Sequence, residues 1–371
     1  MRPSRLRRQA AVILGALALG GCATAAPTPT PDLAWPLPPE RPRIRYIESL
    51  SSVDHFKPKD GNWLKDAVLG AGPSGGERLA KPFAVTTDPQ GRVYVTDTGR
   101  SRVWVFDRVK REVRFLGESG QGSLVTPSGI AVDARGVVFV ADARRNRIFA
   151  YDDTGKAVME IGKPDEFYSA GGLVIDRAYN RLYVADAGRH KVRVYDTRTG
   201  EFVFEFGKRG AEPGDFNYPT HLFLRGDRLY IADTMNFRVQ QFTLGGQFVS
   251  TLGEMGARLG QLARPKGVAV DSDGHIYVVD AAFGNFQIFE QSSEYPLLLF
   301  VGQVGSEPGQ FMLPAGMFID EQDRIYVADQ YNHRVQVFEY VKHGEVVRAG
   351  DSAAPKPEVS TSTNVKEGST P

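Results

Sequence analysis

The stretch YVADQYNHRVQVF, residues 326–338, has two runs of β-branched and aromatic residues on either side of a short polar segment. This pattern is typical of two β-strands joined by a tight loop. Asp329 closes the first run, and an aromatic residue, Phe338, follows it by nine positions. The same arrangement occurs five more times, in Tyr94–Phe106, Phe139–Tyr151, Tyr183–Tyr195, Tyr230–Phe242 and Tyr277–Phe289.

The aspartates of the six units lie 45, 44, 47, 47 and 49 residues apart. A period in the forties with alternating apolar residues is typical of a four-stranded propeller blade. In the fifth unit, residues 267–271, 275–280, 287–290 and 297–301 are the predicted strands, from the innermost to the outermost. We therefore expect an all-β, six-bladed β-propeller of four-stranded antiparallel blades over residues 41–348.

A large apolar residue precedes each predicted first strand at a fixed offset, three residues before a proline or, once, an alanine. We expect these side chains to fill the space between neighbouring blades. They are Leu79, Leu124, Phe167, Phe216, Leu262 and Phe311.

The sixth unit lacks a clear fourth strand because its apolar pattern ends near Val341. A strand-like run, residues 43–49, precedes the first unit. We expect this run to pair with residues 335–340 and close the ring, which removes an exposed sheet edge. Residues 345–348 are the alternative partner strand. Residues 60–69 have the spacing of a short helix, with Trp63, Leu64, Ala67 and Val68 on one face.

The units resemble NHL repeats, whose blades carry a segment similar to Tyr-Val-Ala-Asp-x-x-Asn-x-Arg-Val-x-x-Phe. Residues 326–338 match with Asp329, Asn332, Arg334 and Phe338. The resemblance covers about residues 80–340 and implies a six-bladed propeller. The departures are Arg100, Arg145 and Arg189 where asparagine is usual, and Asn285 where a basic residue is usual.

The six repeated aspartates are predicted to be structural. Each ends a predicted second strand, and in five units a basic residue follows five positions later: Arg102, Arg147, Lys191, Arg238 and Arg334. Residues that flank a short hairpin loop are cross-strand neighbours, so we expect a hydrogen-bonded pair that braces the loop. The aspartates concerned are Asp97, Asp142, Asp186, Asp233, Asp280 and Asp329.

The N-terminus has the pattern of an export signal. Four arginines precede the apolar run of residues 10–19, which is too short to span a bilayer and ends in Gly20-Gly21-Cys22. Cys22, the only cysteine of the chain, resembles the acylated cysteine of a bacterial lipobox. The resemblance implies a lipoprotein in the cell envelope, with Ala23 favouring the outer membrane, facing the periplasm. A plain signal peptide is the alternative.

Flanking segments of low complexity surround the repeats. Residues 1–21 are the predicted signal peptide, and residues 22–40, rich in proline and threonine, are predicted to form an extended tether. Residues 349–371 are predicted to be a disordered tail.

Charge disfavours a nucleic-acid partner. The chain has 45 basic and 44 acidic residues, and removing residues 1–21 leaves 41 basic residues against the same 44 acids. This balance lacks the basic excess that phosphate binding generally needs. We expect a monomeric propeller attached to the membrane through Cys22.

No catalytic residue or cofactor is predicted, because the chain has no metal-ligand spacing of histidines and no nucleophile motif. His221 stands out, since it occupies the start of an inner strand where the other units have glycine or alanine. Related propellers include a zinc-dependent lyase and calcium-dependent lactonases. A channel-site lyase, hydrolase or lactonase with zinc or calcium at His221 is therefore the alternative function.

The loops between second and third strands are the predicted partner-binding surface, since they should share a face with the connectors between blades. Basic residues are predicted in the first half of this face, and methionine and aromatic residues in the second half. Phe237 and Phe283 could instead fold down onto neighbouring loops. The sequence thus predicts a binding scaffold for a protein, peptide or glycan through Arg144, Arg145, Arg189, Met235, Phe237, Phe283, Tyr331 and His333.

Overall fold

The computed structural model describes residues 33–37, 40–57 and 76–342. Six antiparallel sheets are arranged as a ring, five with four strands and one with five. The innermost strands of successive blades contact each other around the whole ring, including those of blades 6 and 1. The predicted six-bladed β-propeller is confirmed.

Each blade runs from an inner strand at the channel to an outer strand at the rim. Blades 1 to 3 contain Pro82–Thr87, Val93–Asp97, Arg102–Asp107 and Glu112–Leu116; Pro127–Val132, Val138–Asp142, Arg147–Tyr151 and Ala157–Ile161; and Ala170–Asp176, Arg181–Asp186, Lys191–Asp196 and Phe202–Phe206. Blades 4 to 6 contain Pro219–Arg225, Arg228–Asp233, Arg238–Thr243 and Phe248–Leu252; Pro265–Val270, Ile276–Asp280, Asn285–Phe289 and Leu297–Val301; and Pro314–Ile319, Arg324–Asp329 and Arg334–Tyr340. Short 3-10 turns span Val53–Phe56, Ala187–Arg189, Thr234–Asn236 and Gln330–Asn332.

The fourth strand of blade 6 comes from the N-terminal side of the chain. Ile44–Leu50 pairs antiparallel with Arg334–Tyr340, with Tyr46 opposite Phe338. The predicted closure is confirmed, with the strand one residue later than expected.

A fifth strand, Ala34–Trp35, pairs with Ile44–Leu50 and extends the blade 6 sheet. Its position corrects the predicted end of the tether at residue 40. The Trp35 ring packs edge-on against Phe338 with centroids 5.9 Å apart, and this burial favours sheet formation despite the surrounding prolines.

In four of the six blades, the third residue of the inner strand lies too close to the next inner strand for a side chain. A Cβ atom on Gly129 would lie 2.1 Å from the Gly171 carbonyl oxygen, and one on Gly316 would lie 2.7 Å from the Phe83 carbonyl oxygen. Glycine is therefore required where these backbones meet.

The six linker residues predicted to fill the space between blades are all buried. Phe216 and Phe311 pack on glycines that directly follow outer strands, Gly207 and Gly302, both with positive φ. A Cβ atom on Gly207 would lie 2.4 Å from the Phe216 ring, and one on Gly302 would lie 2.6 Å from the Phe311 ring. Each outer strand thus ends where the next linker residue inserts.

Several sequence predictions concern residues outside the described ranges. These are the signal peptide, Cys22, most of the tether, the helix at 60–69, the alternative strand at 345–348 and the tail. Within the described ranges, no helix is both long and apolar enough to cross a membrane.

Deleting residues 41–50 should lower the melting temperature by about 10 °C or more. The deletion removes Ile44 and Leu50, which are fully buried, and leaves Arg334–Tyr340 as an open edge. Thermal unfolding followed by circular dichroism measures the change. The control is Arg45→Ala, which breaks a half-exposed pair with Glu339 and should cost less than about 1 kcal/mol. An unchanged melt in the deletion would contradict a closing role.

Candidate functional site

The loops between second and third strands and the connectors between blades form one surface, here named the loop face. In every blade a backbone N–H at the start of the loop donates to a connector carbonyl. Examples are Thr98 to Lys81 at 3.0 Å and Tyr331 to Met312 at 3.1 Å. The predicted shared face therefore exists.

A buried aspartate organises this surface in each blade. The Asp97 carboxylate accepts the backbone N–H groups of Ala80 and Lys81 in the connector, and those of Gly99 and Arg100 in the loop. Asp142 and Asp280 accept the corresponding four N–H groups. The carboxylates thus satisfy connector N–H groups that have no partner strand.

In blades 4 and 6, side chains donate hydrogen bonds to the repeated aspartate in place of the loop N–H groups. Asp329 accepts hydrogen bonds from the Met312 N–H, Asn332 Nδ2, Arg334 Nε and Gln336 Nε2. Asp233 has the same environment with Asn217, Asn236, Arg238 and Gln240. Burial raises the pKa of both carboxyl groups.

The predicted aspartate pairs with basic residues are wrong for blades 1 to 3. The residues are cross-strand neighbours as expected, but Arg102 pairs with Glu77 and Glu118. Arg147 pairs with Glu160, and Lys191 with Glu205. In blades 1 and 2, where arginine replaces the usual asparagine, loop N–H groups occupy the carboxylate oxygens.

Asp186 in blade 3 has the fewest partners. It accepts the Tyr168 N–H at 3.0 Å, and the Arg189 guanidinium lies 3.8 Å away. Burial raises the pKa of the Asp186 carboxyl group, and its Oδ2 atom has no hydrogen-bond partner among the described residues.

The predicted basic residues of the loop face lie in blades 2 and 3. Arg144 and Arg145 are exposed. Arg145 donates to Ser123 Oγ at 3.1 Å, and its guanidinium lies 5.5 Å from the Phe149 ring centroid. Arg189 donates to the Asp165 carbonyl. Their role in partner binding stays a prediction.

The predicted aromatic and methionine residues divide into two groups. Met235, Tyr331 and His333 are exposed on the loop face, and the His333 ring contacts the Ala80 carbonyl. Phe237 and Phe283 are half-buried, as the folded-down alternative expects. Phe237 also has a φ of 56°, a left-handed conformation at the end of the tight turn.

Sequence reasoning missed most of the exposed apolar residues on this face. Eight of them lie on connectors, and for all but Tyr168 the useful signal was a position one or two residues before the proline that opens an inner strand, or between connector glycines. With Met235 and Tyr331 on the loops, they are 38 to 67% exposed: Val125, Tyr168, Tyr218, Met255, Leu259, Val304, Met312 and Leu313. On the opposite face, only Val109 and Tyr179 are exposed large apolar residues of the described chain.

The central channel contains a cavity of about 330 Å³ lined mainly by inner strands. His221 lines this cavity, and its Nδ1 accepts the Val268 N–H from the next blade at 3.4 Å. Burial lowers the pKa of His221 to about 4, so the imidazole is neutral at neutral pH.

A metal centre needs several converging ligands. Among the residues that the structure describes, no group of three or more His, Cys, Asp and Glu side chains is placed to hold a metal ion. His221 belongs to no such group in the described part of the channel, and a zinc or calcium ion there stays a prediction.

Two family models match the chain: one describes a whole propeller, and the other describes a single repeat. A model described as a six-bladed β-propeller matches residues 124–203 and 173–253. The NHL repeat model matches residues 79–106, 262–290 and 311–338. The chain is a six-bladed β-propeller. Three of its blades match the NHL repeat, the family that the units resemble in sequence.

Curated relatives match parts of the propeller. Protein brain tumor from Drosophila melanogaster is 30% identical over 130 residues, covering 34% of this chain and 12% of that protein. The human E3 ubiquitin-protein ligase NHLRC1 is 26% identical over 120 residues, covering 32% of this chain and 29% of that protein. The matches thus span less than a third of these relatives.

Solved structures share the fold at low identity. A streptogramin B lyase superposes with a TM-score of 0.54 at 14% identity, covering 73% of this chain and 85% of that chain. A Xanthomonas campestris gluconolactonase has a TM-score of 0.53 at 16% identity, covering 82% and 99%. An auxiliary nutrient binding protein from Bacteroides thetaiotaomicron has a TM-score of 0.55 at 14% identity, covering 71% and 69%.

Arg334→Ala should destabilise the fold by about 3 kcal/mol or more, because it leaves the buried Asp329 carboxylate without its charged partner. Arg102→Ala is the matched control at the same position of blade 1. Its pairs are with half-exposed glutamates, so it should cost less than about 1 kcal/mol. Urea denaturation measures both free energies of unfolding. Equal losses would contradict the distinct roles of the two arginines.

Proposed function

We propose that this protein is an extracytoplasmic binding scaffold, anchored by a lipid on Cys22, that uses the loop face to bind a partner protein. The propeller holds the loops, and the loops carry the recognition residues. Loops positioned by a rigid scaffold commonly carry binding function.

The observation that supports this proposal is the unequal distribution of exposed apolar side chains between the two faces. Among the described residues, ten lie on the loop face and two on the opposite face, while seven lie on outer strands at the rim and one, Leu37, follows the fifth strand of blade 6. Exposed methionine and tyrosine residues are typical anchors of protein interfaces. On the loop face they concentrate on blades 4 to 6, around Met235, Met312 and Tyr331.

The comparisons support a binding role in general terms. NHL propellers occur in an E3 ubiquitin-protein ligase, and the same fold occurs in an auxiliary nutrient binding protein. The lyase and lactonase neighbours share the fold alone at their low identity. His221 is the one histidine lining the described channel cavity, so we do not adopt the enzymatic alternative.

Met235→Ser with Tyr331→Ser should reduce partner capture about tenfold, the loss expected when two interface anchors are truncated. The measurement is chemical crosslinking of the full lipoprotein in its native envelope, with captured proteins quantified by mass spectrometry. Both side chains are exposed, so the fold should be retained. The control is Val109→Ser with Tyr179→Ser on the opposite face. Equal capture by both double variants would reject the loop face as the binding surface.

Cys22→Ser should abolish lipid attachment and release the protein from the membrane fraction, because the chain has no other thiol. Metabolic labelling with an alkyne fatty acid, followed by fractionation, measures both effects. Thr24→Ser is a neighbouring control that should behave as the unaltered protein. A Cys22→Ser variant that keeps the label would disprove the anchor.

A further inference from the structure

Three cationic residues lie near one another at the starts of inner strands, where the channel opens on the loop face. Lys81 and Arg264 directly precede the inner strands of blades 1 and 5, and both are exposed. Lys266 is the second residue of the blade 5 inner strand, and its Nζ lies 6.0 Å from the Phe83 ring centroid of blade 1. Blade 6 lies between these blades, with the small Ala315 at the equivalent position, so the Lys266 side chain extends across the opening.

These cations, here named the cationic rim, lack acidic partners. In the described part of the chain no carboxylate forms an ion pair with Lys81, Arg264 or Lys266. The two lysines lie over aromatic rings instead, with Lys81 Nζ 5.4 Å from the Tyr331 centroid and Lys266 Nζ 6.0 Å from the Phe83 centroid. Burial, with the charges of Arg264 and Lys81, lowers the pKa of Lys266.

The nearest repeated carboxylates are already occupied. Asp97 and Asp280 each accept four backbone N–H groups, including those of Lys81 and Arg264. They are fully buried beneath the connectors. The positive charge of the rim is therefore available to an external anion.

Exposed apolar side chains adjoin the same opening. Leu313 occupies the position in blade 6 that Lys81 and Arg264 occupy in blades 1 and 5, and Met312 precedes it. Tyr331 lies beside Lys81. A ligand that contacts both the cationic rim and these apolar side chains has an anionic group next to apolar groups.

We propose that the cationic rim binds a carboxylate side chain of an acidic, apolar-flanked segment of a partner protein. This inference rests on the proposed function and specifies the chemistry of its partner. The carboxylate lies among Lys81, Arg264 and Lys266, while Met312 and Leu313 contact the neighbouring apolar residues. Charge complementarity favours this occupant, because the anion relieves repulsion within the rim.

A protein partner fits better than a nucleic acid. Nucleic-acid binding uses an extended basic surface that contacts many phosphates. The rim is a single cluster at the axis, and the chain beyond residue 21 has 41 basic and 44 acidic residues.

The test uses the full chain and a fluorescein-labelled peptide of alternating glutamate and leucine, with a glutamine and leucine peptide as its uncharged counterpart. Fluorescence anisotropy should show binding of the glutamate peptide and about tenfold weaker binding of the glutamine peptide, the loss expected for charge-assisted contacts. Lys266→Met should weaken the glutamate peptide about tenfold and raise the melting temperature of the free protein, since it removes a repelled charge. Lys110→Gln, on the opposite face, should change neither.

Equal binding of the two peptides, or unchanged binding by Lys266→Met, would overturn the proposal. Inorganic phosphate or a uridine oligonucleotide that displaces the glutamate peptide at lower concentration than unlabelled peptide would also overturn it, in favour of a phosphate ligand. If the peptide fails to bind while envelope capture still depends on Met235 and Tyr331, the binding scaffold stands and the carboxylate site does not.

Discussion

The hydrogen bonds accepted by one buried carboxylate per blade hold the loop face together. Connectors between blades have no partner strand, so their N–H groups need acceptors that the sheets do not supply. Asp97 supplies these acceptors in blade 1 through both oxygens, and its Oδ1 also accepts the Gly99 and Arg100 N–H groups of the following loop. In five of the six blades, an aspartate at the end of the second strand therefore bonds both the loop and its connector, and Asp186 of blade 3 bonds the connector alone. Without this carboxylate, the connector N–H groups would be exposed to water at the centre of the loop face.

Ring closure places a second constraint on the same architecture. Each inner strand must approach the next, which excludes side chains at positions such as Gly129 and Gly316. Blades 1 and 4 instead have Ala84 and His221 at this position, and the His221 imidazole accepts the Val268 N–H of the following blade. Because Ile44–Leu50 from the N-terminal side supplies the fourth strand of blade 6, Arg334–Tyr340 is paired on both sides. The chain ends of the propeller are thereby joined in one sheet.

Repeated features were predictable from sequence, and features that depend on contacts across the ring were not. The period of the aspartates predicted six blades, and the fourth strand of blade 5 was predicted at its observed bounds, Leu297–Val301. The Asp97 and Arg102 pair was wrong because cross-strand neighbours need not bond when backbone donors fill the carboxylate. Lys81 and Lys266 were missed because they are far apart in sequence and meet only at the axis. Such convergence has no local pattern.

Differences among the six units point to where this propeller acquires its specificity. The aspartate, the inserted linker residue and the inner-strand glycine perform the same task in most blades, so their repetition reflects architecture. By contrast, the residue that follows the start of each inner strand differs in every blade: Phe83, Ser128, Gly171, Thr220, Lys266 and Ala315. Ser128 and Ala315 are buried and Gly171 has no side chain, so only Phe83, Thr220 and Lys266 present partly exposed side chains at these positions. A ligand that approaches along the axis meets this variation first, and the placement of Lys266 opposite Phe83 makes the opening asymmetric. Recognition by a nearly symmetric scaffold requires such asymmetry, because equal blades could not orient a partner.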